Sequence, residues 1–213
     1  MRQILLPTLL LLTLAAHAQS GMANDFEPGT YVLESSPSSP LVGMLKLNDS
    51  GRLVVQKFRS KNLKLSSDDV ITFRLGTHKY VVAANFEVDK GLVTTTVAKA
   101  FVEQVDSGRV VLLHYSYTVG SGPMMGSGGM MAGGIASYRD LYLLLIDDVL
   151  TPVQVNANNS GRTFRKILLP FLATRPDLVN LLEGKHLSAD DMPAIIHALN
   201  TGKAFRAIDF QPK

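Results

Sequence analysis

The chain reads as an α+β protein, a predominantly antiparallel β-sheet or partly open barrel followed by a short C-terminal helical bundle packed on it. Three observations predict this. From Thr30 to Ile146, short apolar or alternating segments rich in Val, Leu, Thr, Phe and Tyr are separated by Gly, Asp, Asn and Ser, the pattern of strands and hairpins. After Thr151-Pro152 the apolar spacing becomes helical. No cysteine occurs anywhere, so neither disulfides nor thiolate metal sites relieve the core of its stabilising role.

The first twenty residues are MRQILLPTLLLLTLAAHAQS. Arg2 gives a basic start, Ile4 to Ala16 an apolar run and Ala16-His17-Ala18 a small-x-small cleavage pattern, so residues 1–18 are predicted to be a secretory signal peptide. The run is shorter than the roughly 20 residues a membrane span needs. The mature chain, 19–213, is expected to be one domain, β-rich over about 29–155 and helical over about 160–201. It is expected to be exported to the periplasm or beyond the cell, with no cysteine for a lipid anchor and no transmembrane insertion after cleavage.

Strands are predicted at Gly29 to Leu33, Val42 to Leu47, Leu53 to Phe58, Val70 to Leu75, Tyr80 to Val88, Thr95 to Val105, Arg109 to Val119 and Tyr138 to Ile146. Asn48-Asp49-Ser50-Gly51, Asp106-Ser107-Gly108 and Gly76-Thr77-His78-Lys79 are predicted turns, with glycine taking positive φ in the first two. In the strand after Gly108, alternation separates Val110, Leu112, His114, Ser116 and Thr118 from Val111, Leu113, Tyr115, Tyr117 and Val119. The second, wholly apolar set is expected to meet the core, leaving His114 on a mixed face. Tyr142 to Ile146, apolar on both faces, belongs inside the sheet.

Three helices follow. Ser160 is a predicted cap for a helix with its stripe at Phe164, Ile167, Leu168, Phe171 and Leu172, which Pro170 should kink or shorten. Thr174-Arg175-Pro176 opens a second, carrying Leu178, Val179, Leu181 and Leu182 and ending at Gly184. Ser188-Ala189-Asp190-Asp191 resembles a capping box for a third, with Met192, Ile195, Ile196 and Leu199 before Asn200 and Gly202.

The net charge of +3 becomes +2 once Arg2 leaves with the leader, too little to call for nucleic acid or a membrane surface without clustering. The nearest approach to a cluster in this reading is Arg162, Arg165 and Lys166, best taken as a solvated helix face. Motifs for catalysis are missing. Neither Ser121 nor Ser127 sits in a glycine-flanked elbow, and Gly120, Gly122 and Gly126 miss the dinucleotide spacing by one residue. His78, His114, His186 and His197 lack zinc-ligand spacing. Asp68-Asp69, Asp147-Asp148 and Asp190-Asp191 read as turn and cap residues rather than paired catalytic acids. No catalytic residue and no cofactor is expected.

The stretch GSGPMMGSGGMMAGG, Gly120 to Gly134, is the one low-complexity segment. Met124, Met125, Met130 and Met131 offer four thioethers, soft donors that suit Cu(I), so they are candidate metal ligands. A plain loop or an adaptable contact surface explains the same residues.

Two longer stretches carry a resemblance. The first runs from Lys79 to Gly134, opening KYVVAANFEVDKG and containing FVEQVDSGRVVLLHY; the second, Gly161 to Asn200, is GRTFRKILLPFLATRPDLVNLLEGKHLSADDMPAIIHALN. Together they resemble an uncharacterised family of exported Bacteroidetes proteins, in which a hairpin of this type, a loop and a strand precede a helical tail. Phe164, Pro176-Asp177-Leu178 and Asn200 are the more specific part of the likeness. The resemblance implies a cell-envelope or extracellular setting and carries over no functional residue.

The leading functional expectation is therefore a non-enzymatic envelope protein whose sheet presents a surface or edge to a protein or glycan partner, without a pocket of converging charged groups. The alternative is a ligand carrier or sensor, for Cu(I) through the methionines or for a small apolar molecule in a defined cavity. An enzyme ranks third and would need polar groups from distant strands to converge.

Overall fold

The computed structural model describes residues 26–91, 93–120, 124–125, 131–132, 136–155 and 161–206. The predicted signal peptide, Ser160 and Met130 lie outside them. Twelve strands appear in chain order: β1 (Glu27–Leu33), β2 (Leu41–Leu47), β3 (Leu53–Val55), β4 (Leu63–Leu65), β5 (Val70–Leu75), β6 (His78–Asp89), β7 (Thr94–Asp106), β8 (Val111–Gly120), β9 (Met124–Met125), β10 (Met131–Ala132), β11 (Ala136–Ile146) and β12 (Val149–Val155). Three helices follow, α1 (Gly161–Leu172), α2 (Pro176–Glu183) and α3 (Met192–Thr201). No described helix is long and apolar enough to cross a membrane.

Ten strands form one antiparallel sheet in the order β12-β11-β8-β7-β6-β5-β1-β2-β3-β4, and it stays open. Strong curvature replaces closure. Tyr31, Leu45, Leu53, Val55, Leu65, Phe73 and Phe101, from β1 to β5 and β7, share one core cluster. Ala83, Phe86, Val102, Leu113, Tyr117, Leu141 and Leu143 share another, and β12 approaches β6 although three strands separate them in the sheet. The third cluster joins Val110, Leu112, Leu144 and Val153 of the sheet region to Phe164, Leu168, Leu178, Leu182, Ile195 and Ile196 of the helices. Of the predicted stripes, Phe164, Leu168, Leu172, Leu178, Leu182, Met192, Ile195 and Ile196 are buried, while Ile167, Phe171, Val179, Leu181 and Leu199 are half-buried at the edge of this cluster.

This arrangement corrects the expected core face of β8. Leu112 is 0 % exposed and Leu113 2 %, because helices cover one side while the curved sheet closes over the other. The turns also differ in their reasons. Gly51 takes φ +70°, as expected, whereas Gly108 has no positive φ to supply; a Cβ there would lie 2.6 Å from Cγ of Asn200. Close approach, not backbone freedom, requires that glycine. At the end of α2, Gly184 is right-handed and Lys185 takes the positive φ of 61°.

Other boundaries shift for local reasons. β3 stops at Val55, short of the predicted Phe58, and β4 and β12 are additions to the predicted strands. Asp147 and Asp148 both have positive φ and join β11 to β12 as a two-residue hairpin turn. α1 continues through Pro170 and ends two residues later. Ser188 and Asp191 complete the capping box reciprocally, and Gly202 closes α3 in the left-handed conformation.

Two side chains fasten the helices. Asn200 accepts from the Val110 amide at 3.0 Å and donates to the Val110 carbonyl at 2.8 Å and to Asp106 at 3.0 Å. Arg175 holds both carboxylate oxygens of Asp177 at 2.9 and 2.7 Å while donating to the carbonyls of Ala198 and Lys203. The start of α2 and the end of α3 are thereby tied together.

Candidate functional site

Strand pairing assembles a polar group that no local motif announces. Tyr80 of β6 pairs with Glu103 of β7, Glu103 with His114 of β8, and His114 with Tyr142 of β11. Directly opposed residues in an antiparallel ladder project from the same face, so one row across four strands carries these four side chains. His78 and Asp140, two positions along from Tyr80 and Tyr142, extend it on that face.

The contacts run as a chain. Nδ1 of His78 donates to Oε1 of Glu103 at 2.5 Å. The other carboxylate oxygen, Oε2, lies 3.9 Å from Nδ1 of His114. On its far side His114 donates through Nε2 to Oδ1 of Asp140 at 2.9 Å, and Ser116 Oγ donates to the same oxygen at 2.5 Å. The His114 and Glu103 side chains are each 26 % exposed. The His114 imidazole beside it, with the hydrogen bond from His78, lowers the Glu103 pKa below the usual value, outweighing burial. Burial opposes charge on His114, but Glu103 and Asp140 together overcome it and raise its pKa.

Beside this chain lies a cleft of about 570 Å³, with the β2–β3 turn at Asn48 to Gly51 forming one wall and β7 and β8 contributing Glu103, His114 and Ser116. Tyr80, Tyr115, Tyr117 and Tyr138 line it, four of the chain's six tyrosines. Tyr115 packs edge-on against Phe86 at 5.2 Å and stacks with Tyr117 at 6.0 Å, whose hydroxyl donates to the Asp89 carbonyl at 2.8 Å. Tyr138 is 83 % exposed. A second depression, about 420 Å³, is lined by Glu34, Ser67, Thr72, Lys79, Lys99 and neighbouring aliphatic residues, and holds no aromatic ring.

What the polar chain can do chemically follows from its order. Ser116 donates to Asp140 rather than to His114, so it does not form the nucleophile-to-base contact of a hydrolytic triad. Among the described residues, no group of three or more His, Asp or Glu side chains is placed to hold a metal ion. The arrangement offers carboxylate acceptors and imidazole donors beside aromatic faces.

The predicted Cu(I) ligands fall elsewhere. β9 and β10 pair as a separate two-stranded ladder that sets Met125 opposite Met131 and Met124 opposite Ala132; Met130 is not among the described residues. His114 belongs to the site although the sequence marks it only as a residue on a mixed face. Glu103, His78 and Asp140 escape sequence reasoning because their proximity depends on register between strands. The concentration of tyrosines in the sheet is the one available signal.

Compared with protein-family models, curated proteins and solved structures, the chain matches none.

Proposed function

We propose that the protein is a non-catalytic, exported binding module of the cell envelope whose cleft accepts a short glycan segment. The observation that carries this reading is the gathering of Tyr80, Tyr115, Tyr117 and Tyr138 around a cleft containing Glu103 and His114. A sugar ring pairs an apolar C–H face, which stacks on an aromatic ring, with hydroxyls that donate to carboxylates and accept from imidazole. Few binding surfaces need both properties at once. The converging charged groups depart from the pocket-free surface expected for an envelope module and favour a ligand held in the cleft over a partner on the sheet edge.

The chain contains no tryptophan and four of its six tyrosines line the cleft, so most of its tyrosine fluorescence reports on the cleft. Titration with soluble oligosaccharides, both neutral and uronate-containing, should give saturable quenching with at least one member. Tyr138→Ala, at an exposed position, should weaken that binding at least ten-fold without unfolding the chain. Absence of binding across the panel, or equal binding by the variant, would reject the cleft as a glycan site.

A further inference from the structure

The turn joining β3 to β4 concentrates positive charge. Between Asp49 and Asp68 the chain carries Arg52, Lys57, Arg59, Lys61 and Lys64 and no acidic residue. All five cations are exposed. Among the described residues, Lys57, Arg59, Lys61 and Lys64 take part in no ion pair. At the tip Phe58 is 88 % exposed, with the Arg59 guanidinium 5.0 Å from its ring centroid.

The turn is a formed structure. The Lys57 amide donates to Oδ1 of Asn62 at 3.3 Å, and Arg59 takes a positive φ of 60°. The Gln56 amide donates to the Met44 carbonyl at 2.8 Å, so the chain leaves β3 alongside the first half of β2. Val42 is 82 % exposed there, and Leu41 and Met44 are exposed too. An apolar tip and an apolar strand end are thus bordered by cations.

We propose that this turn docks on an anionic lipid surface, with Phe58 entering the boundary between headgroups and acyl chains. Aromatic rings settle at that depth, while Lys and Arg keep their charged ends among the phosphates and lay their aliphatic stems along apolar surface. Anionic headgroups supply the complementary charge. A soluble polyanion would satisfy the cations but leave Phe58 and Val42 in water, so charge and apolar exposure together favour the lipid.

Because the chain lacks tryptophan, Phe58→Trp places a single polarity probe at the tip. The test mixes this variant with vesicles of phosphatidylcholine alone or phosphatidylcholine with phosphatidylglycerol. Val93→Trp, on another exposed loop, reports adsorption through any other part of the chain. The expected result is a blue shift at position 58 with the anionic vesicles only, reduced by salt, and no shift at position 93. Changing Lys57, Arg59, Lys61 and Lys64 to Gln in the Phe58→Trp chain should weaken partitioning by about five-fold per cation removed. No shift, an equal shift with neutral vesicles, or an equal shift at both positions would overturn the proposal. So would a response to heparin without one to vesicles, which would assign the turn to a soluble polyanion.

Discussion

Removal of the Asn200 carboxamide is expected to destabilise the protein by about 2–6 kcal/mol, the cost of leaving two buried backbone groups without partners. Its three hydrogen bonds satisfy both backbone groups of Val110, which is 1 % exposed, and one oxygen of Asp106. In Asn200→Ala the Val110 N–H and C=O lose these partners in a place that water reaches poorly. Each unsatisfied buried group costs about 1–3 kcal/mol. Asp106 keeps His197 Nδ1 at 2.9 Å, so its loss adds little. Against a total stability of about 5–15 kcal/mol, the change is large, and at about 2–4 °C per kcal/mol it should lower Tm by roughly 4–24 °C. Urea unfolding followed by circular dichroism measures it. A loss below about 1 kcal/mol, less than one unsatisfied group costs, would refute the assignment of Asn200 as the fastening between α3 and the β7–β8 turn. Gly108→Ala supplies an independent check, since its Cβ would meet Asn200 Cγ at 2.6 Å. Its cost should shrink when Asn200 is already Gly, since Ala would keep the Cβ that lies at 2.8 Å, and additivity of the two would argue against the contact.

Other outcomes follow from the same structure. The raised pKa of His114 contributes stability that is fully present below its ordinary value of 6.5 and is lost as pH rises through the raised one; the lowered pKa of Glu103 contributes stability that is lost as pH falls below about 4.5 through the lowered one. Tm measured from pH 5 to 9 should therefore decline on the alkaline side in the parent and decline less in His114→Gln. Burial pushes the Tyr80 and Tyr142 hydroxyls up to about 12, so ultraviolet titration should show a late phase that shrinks in Tyr80→Phe and in Tyr142→Phe. Leu168→Ala, at a fully buried position on the inner face of α1, should cost about 2–5 kcal/mol in urea unfolding; a loss under about 1 kcal/mol would mean that the helix does not pack on the sheet as described.

The order of strands and then helices was legible because apolar period changes near Thr151-Pro152, and the hairpins at Gly51 and Gly76 followed from turn chemistry. β12 was hidden by Pro152, which argues against a central strand but is tolerated at an edge. β4 was hidden by its length, three residues with Lys64 between two leucines. The polar row was illegible for a different reason. His114 lies far along the chain from Asp140, and only the register of β8 on β11 brings them together. The cationic turn was visible in the order of residues, yet a net charge of +3 diluted it over the whole chain.

The described sheet ends on β12 and β4, and both ends discourage growth. Pro152 lacks an amide hydrogen, so the β12 margin presents an incomplete set of donors to an incoming strand. β4 spans only three residues and carries Lys64, so a second copy adding there would bring like charges together. Ten strands with an exposed row at either margin would otherwise template fibrils from their own kind. The consequence is a colloidal one: at these two described margins the sheet is a poor template for a strand from a second copy.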